Sequence, residues 1–334
     1  MAGPGKARRE FDSGAFADTP TPPHSIEAEQ AVLGGLLLDP AAWDNVADVC
    51  RDTDFYRPDH RLIFEAIGTL AGNGKPCDAV TVSEHLERNG NLEAAGGLAY
   101  LGSVARDTPT AANVRAYAEI VRERSLLRQL ITRMLSSIGG VPLQNLRSGR
   151  ISDDDWVRIT SATAQLSEAK IYIDETPALT PTELRARARR VKREHGLGLI
   201  VVDYLQLMQV PGTKENRATE IGEISRGLKV LAKELAVPVI ALSQLNRAVE
   251  QRENKKPVMS DLRESGSIEQ DADMILLIYR EEVYDKNTTR KGIAEIDLVK
   301  HRNGEIGGFT LTFQGQFTRF ANFAPDSYGE GVLR

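Results

Sequence analysis

The spacing of apolar residues changes character along this chain, and the change points to a helical domain followed by a mixed one. From about residue 24 to residue 128 the apolar positions recur at helical period. Val32, Leu33, Leu36 and Leu37 share one face of a helix that Ser25 can cap and that ends near Asp39-Pro40. A second amphipathic stretch runs from His60 to Ile67 and closes at the turn Gly72-Asn73-Gly74. Thr81-Val82-Ser83-Glu84 has capping-box spacing, and Asn89-Gly90 ends the helix it predicts. A long helix then opens at Thr108-Pro109-Thr110 and passes through Tyr117, Ile120 and Leu127.

Beyond residue 151 short apolar runs separate the helices. Ser152 followed by Asp153, Asp154 and Asp155 starts a helix with acids at its positive end. Ile171-Tyr172-Ile173 predicts a short strand, and Thr180-Pro181-Thr182-Glu183 joins a capping box to a first-turn proline. Leu199-Ile200-Val201-Val202 is apolar without interruption and predicts a strand buried on both faces. A helix over 218–235 leads to a second buried strand over 237–242, and further strands are predicted at 274–279, 293–299, 309–313 and 317–320. Helices alternating with apolar strands predict a largely parallel sheet finished by an antiparallel edge. The expected division is a tail over 1–23, an all-α domain over 24–131, an α/β domain over 132–324 and a C-terminal tail over 325–334.

Composition narrows the function classes. Residues 1–23 are rich in Gly, Pro, Ala and Thr with no apolar core, which predicts a disordered tail rather than a secretory signal. No run of eighteen apolar residues occurs, so no membrane partner is expected. Cys50 and Cys77 have neither metal-ligand spacing nor a disulfide framework, and the five histidines are scattered; a cytoplasmic location fits. The net charge of −5 argues against a basic coat on duplex DNA and confines any nucleic-acid contact to a local groove or loop.

Four segments carry chemistry. The run 199–203 ends in Asp203, as a Walker B strand does, where a nucleotide-bound Mg²⁺ waits; the alternative is a loop-capping carboxylate. The next strand ends in Ser243-Gln244-Leu245-Asn246-Arg247, placing the Gln244 amide where it can meet a γ-phosphate or simply bond within its loop. In the polar segment 260–273, Arg263 and the backbone near Gly266 suit a phosphate, or else form a solvated surface loop. Lys300 and Arg302, spaced i, i+2 on an extended segment, point the same way, either to a neighbour's phosphates or to solvent at a hairpin tip. The basic helix carrying Arg185, Arg187, Arg189 and Arg190 is assigned no DNA role.

These segments, in this order, resemble DnaB-type replicative DNA helicases, a RecA-like hexameric family. The resemblance rests on 198–208 (GLIVVDYLQLM), 243–247 (SQLNR), 260–273 (SDLRESGSIEQDAD), 300–304 (KHRNG) and, in the helical half, 27–37 (EAEQAVLGGLL), and it spans nearly the whole chain beyond the tail. It implies a RecA-like fold for the α/β domain. It further implies a homohexameric ring around single-stranded DNA that moves 5′ to 3′ on ATP hydrolysis, with a helicase loader and primase as partners. Asp203 then orders Mg²⁺ through water, and Gln244 couples the γ-phosphate state to the DNA loops. Arg263, Glu264 and Gly266 hold the DNA backbone, Lys300 and Arg302 reach the ATP of the adjacent subunit, and the helical domain forms the primase-interacting collar.

One departure is large. The family's phosphate loop reads Gly-x-x-x-x-Gly-Lys-Ser/Thr, and neither Gly-Lys pair here fits, since Gly5-Lys6 precedes alanine and Gly74-Lys75 precedes proline. Leu126 to Ile131 resembles the end of the family's N-terminal domain, and Thr132 to Ser137 resembles a helix downstream of the phosphate loop. The linker helix, the phosphate-loop strand and helix, and the strand bearing the catalytic glutamate are expected to be absent, a loss on the order of a hundred residues. Without that interior strand the sheet is expected to be left with unpaired edges and its domain rearranged. The chain is then either a helicase subunit with a doubtful ATPase of its own, or a non-enzymatic ring component acting in trans on intact subunits.

Overall fold

The computed structural model describes residues 22–176, 178–211, 217–262 and 265–323. The tails predicted at 1–23 and 325–334 fall almost wholly outside the described residues. The chain divides into two compact units, residues 1–134 and 135–334.

The first unit is helical: α1 (Ile26–Leu38), α2 (Trp43–Val46), α3 (Pro58–Gly72), α4 (Ala79–Arg88), α5 (Gly97–Asp107) and the start of α6 (Val114–Gly139). Ser25 caps α1 as expected, its Oγ accepting from the Ala28 N–H at 3.2 Å. The α4 cap differs from the sequence reading. Asp78 takes it, accepting from Val80 and Thr81 N–H at 2.9 and 3.1 Å, and Thr81 lies inside the helix. One carboxylate oxygen satisfies two first-turn amides at once, which the shorter Thr81 hydroxyl does not do. Leu33, Leu36, Phe55, Ile63, Ile67 and Leu101 are fully buried between these helices. Cys50 and Cys77 are buried and unpaired; burial, reinforced by the Asp54 carboxylate, pushes the Cys50 thiol up to about 12.

Helices α1 and α5 touch through Gly34. A Cβ there would overlap the Thr108 Oγ1 and sit 2.5 Å from the Val104 carbonyl oxygen. Glycine to alanine inside a helix ordinarily stabilises by about 1 kcal/mol. Here the sign is expected to reverse, with Gly34→Ala costing about 1–3 kcal/mol in a urea melt because a backbone oxygen cannot move aside. A neutral or stabilising result would show that the two helices separate easily.

Helix α6 runs without a break over Ile131 and Thr132, the junction expected from sequence. The Thr132 hydroxyl donates back to the Arg128 carbonyl at 2.6 Å. Helical sequence on both sides leaves no local signal that would stop the helix.

The second unit follows with α7 (Leu143–Ser148), α8 (Asp153–Glu168), α9 (Pro181–His195), β1 (Ile200–Val202), α10 (Arg217–Leu235) and β2 (Val239–Ala241). It ends with α11 (Ser265–Asp271), β3 (Met274–Tyr279), β4 (Ile293–His301), β5 (Gly307–Gln314) and β6 (Arg319–Asn322). The predicted capping box of Thr180 with Glu183 is present, and Ser152 forms a second with Asp155 at the acid-rich start of α8. β1 and β2 are parallel, Ile200 facing Val239 and Val202 facing Ala241. β3 to β6 form a separate antiparallel sheet in sequential order.

Three expectations are corrected here. The parallel part is a two-stranded pair that shares no ladder with the antiparallel four, so the sheet is not largely parallel. Ile171, Tyr172 and Ile173 form no strand and are exposed, because no neighbour offers a ladder to pair with. The strands are also buried on one face only. Ile200, Ile275 and Leu277 pack with Ile221, Ile224 and Leu228 of α10. The alternate residues Val201, Ile240, Leu242, Met274, Leu276 and Ile278 are 57, 51, 45, 48, 49 and 53% exposed. A parallel α/β strand is covered by helices on both faces; among the described residues nothing covers the second.

Candidate functional site

The carboxyl ends of β1 and β2 are laced together by main-chain and amide bonds. Leu242 N–H donates to Val202 O at 2.9 Å, and Leu205 N–H donates to Leu242 O at 2.9 Å. The Gln206 side chain then closes the gap, its Nε2 donating to Ser243 Oγ at 3.1 Å and its Oε1 accepting from Gln244 N–H at 3.3 Å. Asp203 and Gln244 therefore leave adjacent strands at the same end, both exposed. The Asp203 carboxylate makes no hydrogen bond or ion pair to another described residue. Nothing in the sequence marks Gln206, since an amide just after a strand-end acid is a weak signal, and only the fold brings it against Ser243 and Gln244. Arg217 secures the same loop from α10, donating to Gln206 O at 2.7 Å and to Met208 O at 3.3 Å.

Arg263 and Glu264 lie outside the described residues. Gly266 is described, and it is not in a loop as expected: it is the second residue of α11, exposed, with open space where a Cβ would stand. The apolar Ile268, buried against the core around α10, turns this stretch into a helix.

Lys300 is the residue before the last of β4, opposite Ile275, and Arg302 begins the following turn. The predicted i, i+2 alignment holds, since both side chains reach α11. Lys300 Nζ donates to the Glu269 carbonyl and Arg302 Nη2 donates to the Gln270 carbonyl at 2.9 Å. The structure thus groups Asp203 with Gln244, and Lys300 with Arg302 and the helix that carries Gly266. Three arginines of α9 are tied elsewhere, Arg185 and Arg189 to Glu234 and Arg187 to Asp174.

The donors present do not complete a nucleotide site. Asp203 is a single carboxylate, and no cluster of three His, Cys, Asp or Glu able to hold a metal occurs among the described residues. The sequence contains no Gly-x-x-x-x-Gly-Lys-Ser/Thr. What remains can order a metal's water, sense a phosphate and supply cations.

Residues 21–123 match the DnaB-like helicase N terminal domain, and residues 102–322 match the DnaB-like helicase C terminal domain. The replicative DNA helicase DnaB of Buchnera aphidicola is 36% identical over an alignment of 443 positions, covering 92% of this chain and 96% of the relative. That of Geobacillus stearothermophilus is 37% identical over 431, covering 90% and 95%. The chain belongs to the DnaB-like replicative helicase family. The DnaB-like assignment extends to structure. The solved ATPase domain of G40P is 38% identical with a TM-score of 0.56, covering 58% of this chain and 70% of that one. A DnaB-like replicative helicase, 24% identical, shares the fold at a TM-score of 0.56 over 89% of this chain and 99% of its own. The 443-position alignment with the Buchnera DnaB exceeds the entire 334-residue chain by 109 positions, so at least that many positions of the relative have no counterpart here. No helix among the described residues is long and apolar enough to cross a membrane.

Proposed function

We propose that this chain is a subunit of an ATP-driven, DnaB-type helicase ring, contributing DNA contact and trans-acting cations while intact neighbours supply the nucleotide cradle. The ring is a hexamer on single-stranded DNA in the cytoplasm, unwinding duplex 5′ to 3′, assembled by a loader. Arg263, Glu264 and Gly266 follow the DNA backbone, where only a local groove needs to be positive in a chain of net charge −5. Asp203 would hold the water around a nucleotide's Mg²⁺, and Gln244 would meet its γ-phosphate, where a nucleotide is presented at the carboxyl ends of β1 and β2. The observation that carries this reading is the Lys300–Arg302 pair, aligned on one side of its strand end in a chain with no phosphate loop of its own for the pair to serve. An arginine supplied in trans stabilises the charge spread over a transferring phosphoryl group and contributes about 10³–10⁵ in rate.

The helical unit is the collar of such a ring and the contact for primase. The helicase that shares this fold at 24% identity was solved together with its interactions with primase, which supports this role.

The test mixes this chain with an intact family member whose own finger arginine has been changed to alanine. Restored, DNA-stimulated ATP hydrolysis is expected, lost again with Arg302→Ala. Equal, negligible hydrolysis with and without this chain would remove the trans role and leave a passive collar component.

A further inference from the structure

Both cations end on one short helix. Besides its bond to Gln270, Arg302 donates its backbone N–H to Asp273 O at 2.9 Å and places Nη1 3.3 Å from Asp273 Oδ1. The acceptors Glu269, Gln270 and Asp273 belong to the last turn of α11 and the residues just after it. There the carbonyls lack intrahelical partners and the helix dipole is negative. The other carboxylate oxygen of Asp273 accepts from Lys229 Nζ of α10. Asp273 therefore stands between two cations, and the Lys229 bond, with the charges of Lys229 and Arg302, holds its carboxyl below the usual range. Helices α10 and α11 are also close-packed about two turns earlier along α10, where a Cβ on Gly222 would sit 2.7 Å from Ser267 Oγ.

The Arg302–Asp273 pair is half exposed, with side chains 47 and 56% accessible, so its attraction contributes little to stability. Its effect is directional. A guanidinium that already has a carboxylate, a carbonyl and its own main-chain bond on one wall points one way, and pre-set direction is what a transition-state contact requires.

We propose that Asp273 is a positioning residue for Arg302, aiming the guanidinium from the C-terminal end of α11 so that the helix carrying Gly266 and the cation pair move as one piece. The inference rests on the trans role given above to Lys300 and Arg302. A neighbour's phosphates would take the donors of Arg302 that face away from Asp273, and Lys229 keeps the carboxylate compensated while it holds the arginine. DNA held near the start of α11 thereby shifts the far end of the same helix, where the cations are anchored.

The test uses the same mixed rings, with ATP hydrolysis measured against ATP concentration and against (dT)30. Asp273→Asn is expected to lower kcat about tenfold while KM for ATP changes by less than about twofold, the pattern of an interaction made in the transition state. It should also raise the (dT)30 concentration needed for half-stimulation, and Asp273→Glu should recover most of the rate. Identical kcat and DNA dependence for Asp273→Asn and the unchanged chain overturn the inference alone. Equal losses in Asp273→Asn and Asp273→Glu with a lowered Tm overturn it as well, marking damage to the fold. If the unchanged chain restores nothing, the trans role falls and the inference with it.

Discussion

Purified without partners, this chain is expected to hydrolyse ATP no faster than background, with or without single-stranded DNA. Phosphoryl transfer depends almost entirely on positioning and on stabilising charge over the transferred group. Both tasks fall first to a lysine and a nest of backbone amides at a helix N-terminus, and neither is encoded here. Removing a single preorganised donor from such a site costs about 10²–10³ in rate. Losing the whole cradle places turnover more than about 10³-fold below that of an intact subunit. Phosphate release by the isolated chain measures this, and Asp203→Asn supplies the control. Because Asp203 stands without a cradle, its substitution should change nothing. Turnover that Asp203→Asn abolishes would mean that the exposed ends of β1 and β2 assemble a nucleotide site by a route the sequence does not announce.

Helix caps and apolar runs are legible in the sequence where the bonds they make are local. Ser25, Ser152 and Thr180 cap their helices because each hydroxyl meets the amide three residues on. β3 occupies 274–279 as expected, since a six-residue apolar run bounded by polar segments has few alternatives. Long-range partners were not legible. Helix α5 starts after Gly96 at φ +89° with no side-chain cap, so no start signal exists in the sequence. The 171–173 segment has the composition of a strand but lacks a ladder partner. Gln206 gains its place from Ser243, 37 residues away, and the cation pair gains its anchor from Glu269 and Gln270, 31 and 32 residues away.

The most informative mismatch is the bare strand face. Leu199-Ile200-Val201-Val202 and 237–242 are written for burial on both sides, and the unit buries one. Sequence pattern and packing disagree because the pattern belongs to a larger unit. The relative's alignment has at least 109 positions with no counterpart here, and the parallel strands that remain are two. In the helical unit the predicted apolar face of α1 and the core coincide, since Val32, Leu33, Leu36 and Leu37 are all buried.

That helical unit carries the largest stability effect expected from a single substitution. Glu29 is 1% and His60 0% exposed. The Glu29 carboxylate accepts from Tyr56 N–H at 2.6 Å and from Arg57 N–H at 3.4 Å, with His60 Nδ1 at 2.7 Å. His60 Nε2 lies 2.6 Å from the Tyr100 hydroxyl, which also accepts from Gln30 at 3.2 Å. One buried acid thus ties α1, α3 and α5 together. Glu29→Ala leaves two main-chain donors and an imidazole without their acceptor in a dry core, and breaking a buried pair from one side costs about 3–5 kcal/mol. Tyr100→Phe removes the two hydroxyl bonds at the far end of the network, to His60 and Gln30, and should cost about 1–2 kcal/mol. Chemical denaturation of the full chain, followed by the loss of helical signal, measures both. The order is the stringent part, because Tyr100→Phe equal to or worse than Glu29→Ala would mean that the hydroxyl, and not the carboxylate, organises the network. A cost below about 1 kcal/mol for Glu29→Ala would mean that water reaches the site and satisfies the stranded donors.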